Sequence, residues 1–347
     1  VGTPPRSVIR LVISMAATTR RMGSCARKIA LHNAEVDFFH TSLDEWVCIP
    51  QPPAGTAPAG WGWQLWKPLD GTRRAKQLWA EYVAAMLQAA HFLRSSTILG
   101  MYVKKDPELV CVVHGDDLAT VGDDDALDHF DEVLQGSITI NRSGRVGPGG
   151  ARSGLYLKRR IEWRGDRFVY YANPKYCQDI VKILGLADAK GQETPGSKAT
   201  GASVAEESKP LSESEARLVA SAIGSVLYLA LDRPEIQYAA KCLAADIRQP
   251  TELTRVRAKR LARFLLEFPC TEWHYIMQSE AEAGVLSGYS DSDWAADVIT
   301  RRSTSGYCIF LGKHLVDAGS ANQATVALSS GEAEFSACGR VCASVPM

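Results

Sequence analysis

Residues Val112-Val113-His114-Gly115-Asp116-Asp117-Leu118 set two adjacent carboxylates at the tip of an apolar, β-branched stretch. Cys111-Val112-Val113 lies on one side and Leu118-Ala119-Thr120-Val121 on the other. Two strand-like runs joined by a Gly-Asp dipeptide read as a hairpin whose turn is His114 to Asp117. Paired acids cost stability wherever water is scarce, so a fold that holds them between apolar strands usually wants a divalent cation there. A merely acidic turn fits the same residues, and the segment alone leaves both readings open.

The flanking pattern is that of an α+β chain. Val8, Leu11, Val12, Met15 and Ala16 fall at helical spacing between Pro5 and Thr19, with Pro4-Pro5 as the entry signal. Leu31 to Phe39 and Val47 to Ile49 read as strands around a polar stretch, and Pro52 to Trp61 as a Pro- and Gly-rich loop. Gln77 to Phe92 carries an apolar helical stripe of Trp79, Val83, Met86, Leu87 and Ala90. Asp123 is placed to cap a helix whose Leu127, Phe130, Val133 and Leu134 face inward, and the acids Asp123-Asp124-Asp125 suffice as a helix start, without any metal.

Further along, the glycine-rich stretch 136 to 153 reads as a loop or a degraded strand. Leu155 to Ile161 and Arg167 to Tyr171 read as paired strands, and Pro174 to Leu184 as a helix. Lys190 to Ser208 has linker composition. Helices follow over Ser212 to Ala230, Ile236 to Ala245 and Leu253 to Phe268. Val285 to Asp291, Ser303 to Leu311 and His314 to Ala318 then read as strands, and Ser329 to Val341 as a helix with Glu334 inward.

A chain of 347 residues can bury sizeable cores and suggests two domains or more. Lys plus Arg equals Asp plus Glu at 39 each, which excludes a global basic field, so any nucleic-acid binding must use local patches. The candidates are Arg20-Arg21 with Arg27-Lys28, Arg73-Arg74 with Lys76, Lys158-Arg159-Arg160, and Arg255, Arg257, Lys259, Arg260 and Arg263. A solvated face is the commoner explanation of any one such cluster. Nine cysteines scattered singly from Cys25 to Cys342 support neither a disulfide framework nor a zinc site, which fits a reducing intracellular setting. No run of about 18 apolar residues and no signal-peptide pattern occur, so the chain reads as soluble, with no membrane partner.

Several other segments carry a resemblance. Phe38-Phe39-His40, Leu43-Asp44-Glu45 and Gln51-Pro52 come first, then Leu69-Asp70-Gly71-Thr72-Arg73-Arg74-Ala75 with Trp79, then the Asp116-Asp117 hairpin. Ala230-Leu231-Asp232-Arg233-Pro234-Glu235-Ile236 follows, and after it Tyr289-Ser290-Asp291-Ser292-Asp293-Trp294-Ala295, Arg301-Arg302-Ser303-Thr304-Ser305-Gly306-Tyr307 and Ala327-Leu328-Ser329-Ser330-Gly331-Glu332-Ala333-Glu334. In this order they resemble the reverse transcriptase of Ty1/copia-type retrotransposon Pol polyproteins, followed by the start of its RNase H domain.

That resemblance implies a palm-like sheet backed by helices over 1–190, a linker and helical connection over 191–280, and an incomplete RNase H-like α/β unit over 281–347. It implies an RNA-directed DNA polymerase with attached ribonuclease H, in a polyprotein that also serves DNA integration. Its partners would be an RNA template, a DNA primer, the RNA–DNA hybrid and deoxynucleotides, in the cytoplasm, a retroelement particle or the nucleus. The cofactor would be Mg²⁺, two ions roughly 3.5 to 4 Å apart that activate the primer hydroxyl and steady the leaving phosphates.

Three carboxylates hold those ions in the family. Asp116 and Asp117 match two; counting back five residues from Phe38 puts Asn33 at the third. An amide oxygen can ligate a metal but brings no negative charge. Glu35 and Asp37 share the strand face of Asn33 but would lie roughly 7 and 13 Å along it at about 3.3 Å per residue; Asp37 could substitute only with a register slip and Glu35 only if its longer side chain reaches back, so the third acid is expected to be unreplaced. Asp291 and Glu334 match the first two of four RNase H acids, and the later two would lie beyond Met347. The family's Trp and Lys around Ser320 stand here as Gly319 and Ala321. The expectation is a polymerase descendant with weak or no activity, or a catalytically dead remnant that still binds nucleic acid.

Other residues have two readings. Arg73 and Arg74 sit where the family meets the incoming nucleotide or template, where guanidinium forks suit phosphates; an exposed basic pair before the Gln77 helix explains them equally well. Trp61, Trp63 and Trp66 could stack bases, yet packing beneath the Pro-rich loop is the simpler account. His114 titrates near neutrality or merely packs beside the turn. Asp293 reads as solvent-exposed and Glu332 as a helix cap.

Overall fold

The computed structural model describes residues 4–5, 7–19, 26–51, 53–196, 209–297 and 300–344. Arg20-Arg21, Pro52, most of the expected linker and Met347 lie outside the described residues. The chain is a mixed α/β protein with several antiparallel sheets, divided into two compact units, Val1–Leu157 and Lys158–Met347.

In the first unit, α1 (Ser7–Ala16) is buried on nearly every side: Val8, Ile9, Val12, Ile13 and Ala16 are all in the core. The central sheet contains β1 (Lys28–Ala34), β4 (Leu93–Arg94), β5 (Met101–Lys105), β6 (Glu108–His114), β7 (Asp117–Gly122) and β8 (Ile140–Val146). Their order across the sheet is β4-β5-β6-β7-β1-β8. The β6–β7 hairpin closes through His114 opposite Asp117, and Gly115, at φ 65, supplies the left-handed residue the turn requires.

Two helices cover one face of that sheet. Helix α2 (Ala75–Ala89) buries Trp79, Val83 and Leu87, and α3 (Asp124–Gln135) buries Leu127, Phe130 and Leu134; both join one core with Ala30, Leu109, Cys111 and Leu118. Asp123 caps α3 as its sequence position predicts, its side chain accepting from Ala126 N at 2.9 Å.

The strand predicted to reach Phe39 stops at Ala34: Val36 is left-handed (φ 47), and Asp37–His40 forms a short 3₁₀ turn in which the Asp37 carboxylate accepts from Phe38 N. The left-handed turn at Val36 therefore overrides the apolar pattern of Phe38-Phe39. Of the two readings of the glycine-rich stretch, the strand is the one found: it contains β8, which pairs with β1 through backbone hydrogen bonds although its side chains are mostly exposed. A ladder held by main-chain bonds leaves no hydrophobic alternation to read.

A separate two-stranded ribbon, β2 (Val47–Ile49) and β3 (Trp63–Leu65), carries the Pro- and Gly-rich loop. Here too the simpler reading fails. Trp61 and Trp66 are 68% and 76% exposed, Trp46 is 74% exposed, and Trp63 is exposed as well, so no tryptophan packs beneath the loop. Strand β9 (Ser153–Tyr156) ends the unit, and its Tyr156 side chain is buried.

The second unit contains β10 (Arg159–Trp163), β11 (Arg167–Tyr171) and β12 (Trp273–Ile276), antiparallel in that order. The single strand expected through Leu157 is broken there, because Leu157 and Lys158 both take positive φ. Four helices, α4 (Lys175–Ile183), α5 (Glu213–Ala230), α6 (Gln237–Ala245) and α7 (Glu252–Glu267), share a core that includes Ile180, Ile223, Val226, Leu243, Leu261 and Leu265. Ser212 with Glu215 forms a capping box at the start of α5. A second antiparallel sheet, β13 (Leu286–Asp293), β14 (Thr304–Leu311) and β15 (His314–Asn322) in that order, carries α8 (Ser330–Ser344) against β13 and β14. Its buried aliphatic cluster is small: Ile309, Val316 and Val341.

Candidate functional site

The acid pair sits where β1 meets β7. Cross-strand pairing runs from Lys28 opposite Gly122 to Asn33 opposite Asp117, and β1 is tied further to the turn by Ala34 N donating to Asp116 O at 2.8 Å. The turn is held from α2 as well, where Trp79 Nε1 donates to Gly115 O at 2.8 Å. Sequence reasoning placed Trp79 in a core stripe; its indole N–H also positions the acidic turn. His40, from the 3₁₀ turn, lies against the rings of Trp79 and Tyr82.

Asn33 is in direct contact with both acids. Its Nδ2 donates to Asp116 Oδ2 at 2.9 Å and to Asp117 Oδ1 at 3.1 Å. Asp116 is exposed and Asp117 half-buried. Burial, reinforced by the charge of Asp116, raises the Asp117 carboxyl above its ordinary range, and the Asn33 hydrogen bond opposes that shift.

Asp37 is closer to this centre than an extended strand allows. The left-handed Val36 turns it back within electrostatic reach of Asp116, whose charge adds to burial in raising the Asp37 carboxyl, while the Phe38 N–H opposes. Glu35 is exposed, its N–H donating to Thr139 O at 2.9 Å. The Tyr156 hydroxyl, which no sequence signal marks, is buried with no hydrogen-bond partner among the described residues; burial and the charge of Asp117 raise its pKa.

A pair of divalent ions needs oxygen ligands and concentrated negative charge. Here an amide N–H fork faces both carboxylates. Among the described residues no group of three or more His, Cys, Asp or Glu side chains is arranged to hold a metal ion. As built, the site does not fit the two-ion centre that the resemblance implies.

The other predicted residues are distributed as follows. Arg74 precedes the first residue of α2 and is ion-paired with Asp44, whereas Arg73 is exposed. Arg159 is turned inward, so Lys158-Arg159-Arg160 is no basic patch. Along α7, Arg255 pairs with Glu215 and Glu252, Arg257 with Asp246, Arg260 donates to Thr194 Oγ1, and Arg263 to Lys190 O. These arginines sit on a part-exposed face and also tie it to neighbouring chain segments.

In the second unit Asp291 and Glu334 are both exposed, so Glu334 is not inward as expected. It nevertheless lies against β13, where Ser292 N donates to its Oε1 at 3.2 Å. Glu332 caps its helix, accepting from Leu328 N at 2.7 Å, and Asp293 is exposed. Gly319 stands beneath the Tyr307 ring, where an added Cβ would fall 2.4 Å from a ring carbon.

Comparison with known proteins adds independent findings. Residues 5–198 match the family model described as reverse transcriptase (RNA-dependent DNA polymerase). The chain is 27% identical over 313 residues to the retrovirus-related Pol polyprotein from transposon RE1 of Arabidopsis thaliana, covering 89% of this chain and 20% of that protein. It is 25% identical over 340 residues to that from transposon TNT 1-94 of Nicotiana tabacum, covering 94% and 24% respectively. An uncharacterized mitochondrial protein of Arabidopsis thaliana is 31% identical over 169 residues, which cover 49% of this chain and 68% of that protein. The chain thus spans about a fifth of the length of the Pol polyproteins it matches.

Proposed function

The chain belongs to the reverse transcriptase family of Ty1/copia-type Pol polyproteins, and from that premise we propose that it is a polymerase and RNase H portion whose nucleotidyl-transfer centre has lost its third acid. The observation that carries this reading is the pairing of Asn33 with Asp117, with one amide bonded to both acids of the turn. In this reading Asp116, Asp117 and the residue at position 33 are the remains of a palm centre that served deoxynucleotide addition with Mg²⁺. Residues 286–344 are the opening strands and helix of an RNase H-like domain, with Asp291 and Glu334 as two of its acids; the bond from Ser292 N to Glu334, which sets that acid beside the strand of Asp291, supports this.

The test is primer extension on an RNA template with Mg²⁺ or Mn²⁺, comparing this chain with Asn33→Asp. Extension by N33D alone supports loss at position 33. Extension by the unaltered chain overturns the claim of inactivity, and failure of both transfers the cause to other parts of the polyprotein.

Residual binding of single-stranded RNA is supported by the exposed Trp46, Trp61 and Trp66 together with the exposed cations Lys67, Arg73 and Lys76 in the same stretch. Adding single-stranded RNA is expected to quench tryptophan fluorescence, and raising salt to weaken the binding. Replacing Trp61 and Trp66 by alanine removes most of the quench if the ribbon is the platform; an unchanged or salt-insensitive titration discards it.

A further inference from the structure

Two carboxylates on consecutive residues repel one another, the more so where one is half-buried, and a positive charge or N–H dipole between them offsets that repulsion. In this chain the Asn33 side chain reaches both acids, and the charge of His114 also favours the ionised form of Asp117. Asn33 offers two N–H donors on one nitrogen and directs that nitrogen at Asp116 Oδ2 (2.9 Å) and Asp117 Oδ1 (3.1 Å). The opposite orientation of the amide would set its carbonyl oxygen against two acceptor-only groups, so the ionised acids dictate which end faces them. The surrounding bonds fix this geometry before any ligand arrives: Ala34 N holds Asp116 O, Trp79 Nε1 holds Gly115 O, and Asn33 lies opposite Asp117 in the ladder.

We propose that the Asn33 amide takes the place of a cation between Asp116 and Asp117, so that the acid pair is stable with no metal bound and the site has exchanged metal dependence for autonomous stability. This rests on the reading of positions 33, 116 and 117 as a former nucleotidyl-transfer centre, and it adds a property that loss of activity alone does not require. An aspartate at 33 gathers three carboxylates with no N–H among them and depends on an added cation. The asparagine meets the same two acids with donors, leaving a cation little to gain.

The experiment is thermal unfolding of the full chain in EDTA and in saturating MnCl₂, for the unaltered protein, N33D and the exchange variant N33D/D117N. The unaltered chain is expected to melt at the same temperature in both. N33D should lose several degrees in EDTA and recover them in Mn²⁺. N33D/D117N, which passes the amide across the strand pair, should regain the EDTA melting temperature and lose the Mn²⁺ response.

The proposal is overturned if Mn²⁺ raises the unaltered chain as far as it raises N33D, or if N33D in EDTA matches the unaltered chain. Should N33D fail to fold in either solution, the exchange variant decides, since its failure in EDTA also overturns the proposal. Primer extension separates this from the functional reading. A Mn²⁺-dependent melting temperature in an N33D that does not extend primers leaves the present inference standing and moves the cause of inactivity away from position 33.

Discussion

At the scale of single residues, the most consequential buried charge outside the acid hairpin is Asp232. Arg159 donates to its Oδ2 from Nε (2.9 Å) and Nη2 (2.7 Å), and Tyr170 OH donates to its Oδ1 (2.7 Å). Trp273 Nε1 binds its backbone carbonyl at 2.9 Å, while the neighbouring Arg233 reaches Phe268 O at 2.8 Å. The segment Leu231-Asp232-Arg233-Pro234, noted first as a family signature, is therefore a knot of buried polar groups joining β10, β11 and β12 to the end of α5. Asp232→Asn leaves the Arg159 charge buried without its counter-ion and should cost about 3–5 kcal/mol in urea unfolding. Replacing Arg159 and Asp232 together by Met and Leu should cost less than the single change, and an equal or larger loss would reject the pairing as the reason.

His314 carries a pH dependence. It is buried, with Nε2 2.8 Å from Ile276 O, Nδ1 3.1 Å from Gln278 Nε2, and the Tyr275 ring edge-on. Burial holds its pKa below the ordinary value; the nearby Lys313 adds to that, while the Ile276 carbonyl and Glu282 oppose it. A lowered folded pKa means that folding favours the neutral ring. Stability is therefore intact above the ordinary imidazole range and is lost as pH falls through that range toward the folded value. Unfolding titrations at pH 7.5 and 5.5 should show a loss that His314→Gln reduces, and an unchanged slope would count against the assignment.

At the scale of elements, backbone geometry decides where segments turn. Val36 is a β-branched residue held left-handed, a conformation that favours Gly and Asn, and its exposed side chain has little packing to lose. Val36→Asn should raise stability by about 0.5–1 kcal/mol while keeping the turn that brings Asp37 back toward Asp116; destabilisation would mean that the side chain matters more than the backbone. Gly319 presents the opposite case. The Tyr307 ring occupies the space a side chain would need, so Gly319→Ala should destabilise the β13–β15 sheet by about 1–3 kcal/mol, and Tyr307→Ala in the same chain should relieve it. Gly319 is thus matched by a neighbour that fills the space from the adjacent strand.

At the scale of the whole molecule, each unit has its own core. Leu118, Leu127 and Phe130 belong to the first, and Ile223, Leu261 and Leu265 to the second. Urea unfolding is accordingly expected to show more than one transition. Phe130→Ala should shift only the first unit's transition and Leu265→Ala only the second's, by about 2–5 kcal/mol each; a single transition moved equally by both would show one cooperative body. No helix among the described residues is long and apolar enough to cross a membrane.

What the sequence determined by itself was local. The helical stripes of α2 and α3, the cap Asp123, and the β6–β7 hairpin follow from periods and end signals contained within a dozen residues, so they could be read directly. The expectation that Asn33 belongs with the acids came from motif order, through resemblance, because nothing in the spacing of residue 33 from residue 117 specifies a contact. Only the tertiary structure decided the rest. The β1–β7 register set an amide fork on two carboxylates, β8 formed without hydrophobic alternation, the ribbon left its tryptophans in water, and Arg159 turned inward to Asp232. Each of these depends on which distant segment supplies the hydrogen-bond or ionic partner, and buried polar groups gain or lose by kilocalories according to that partner rather than to their neighbours in the chain.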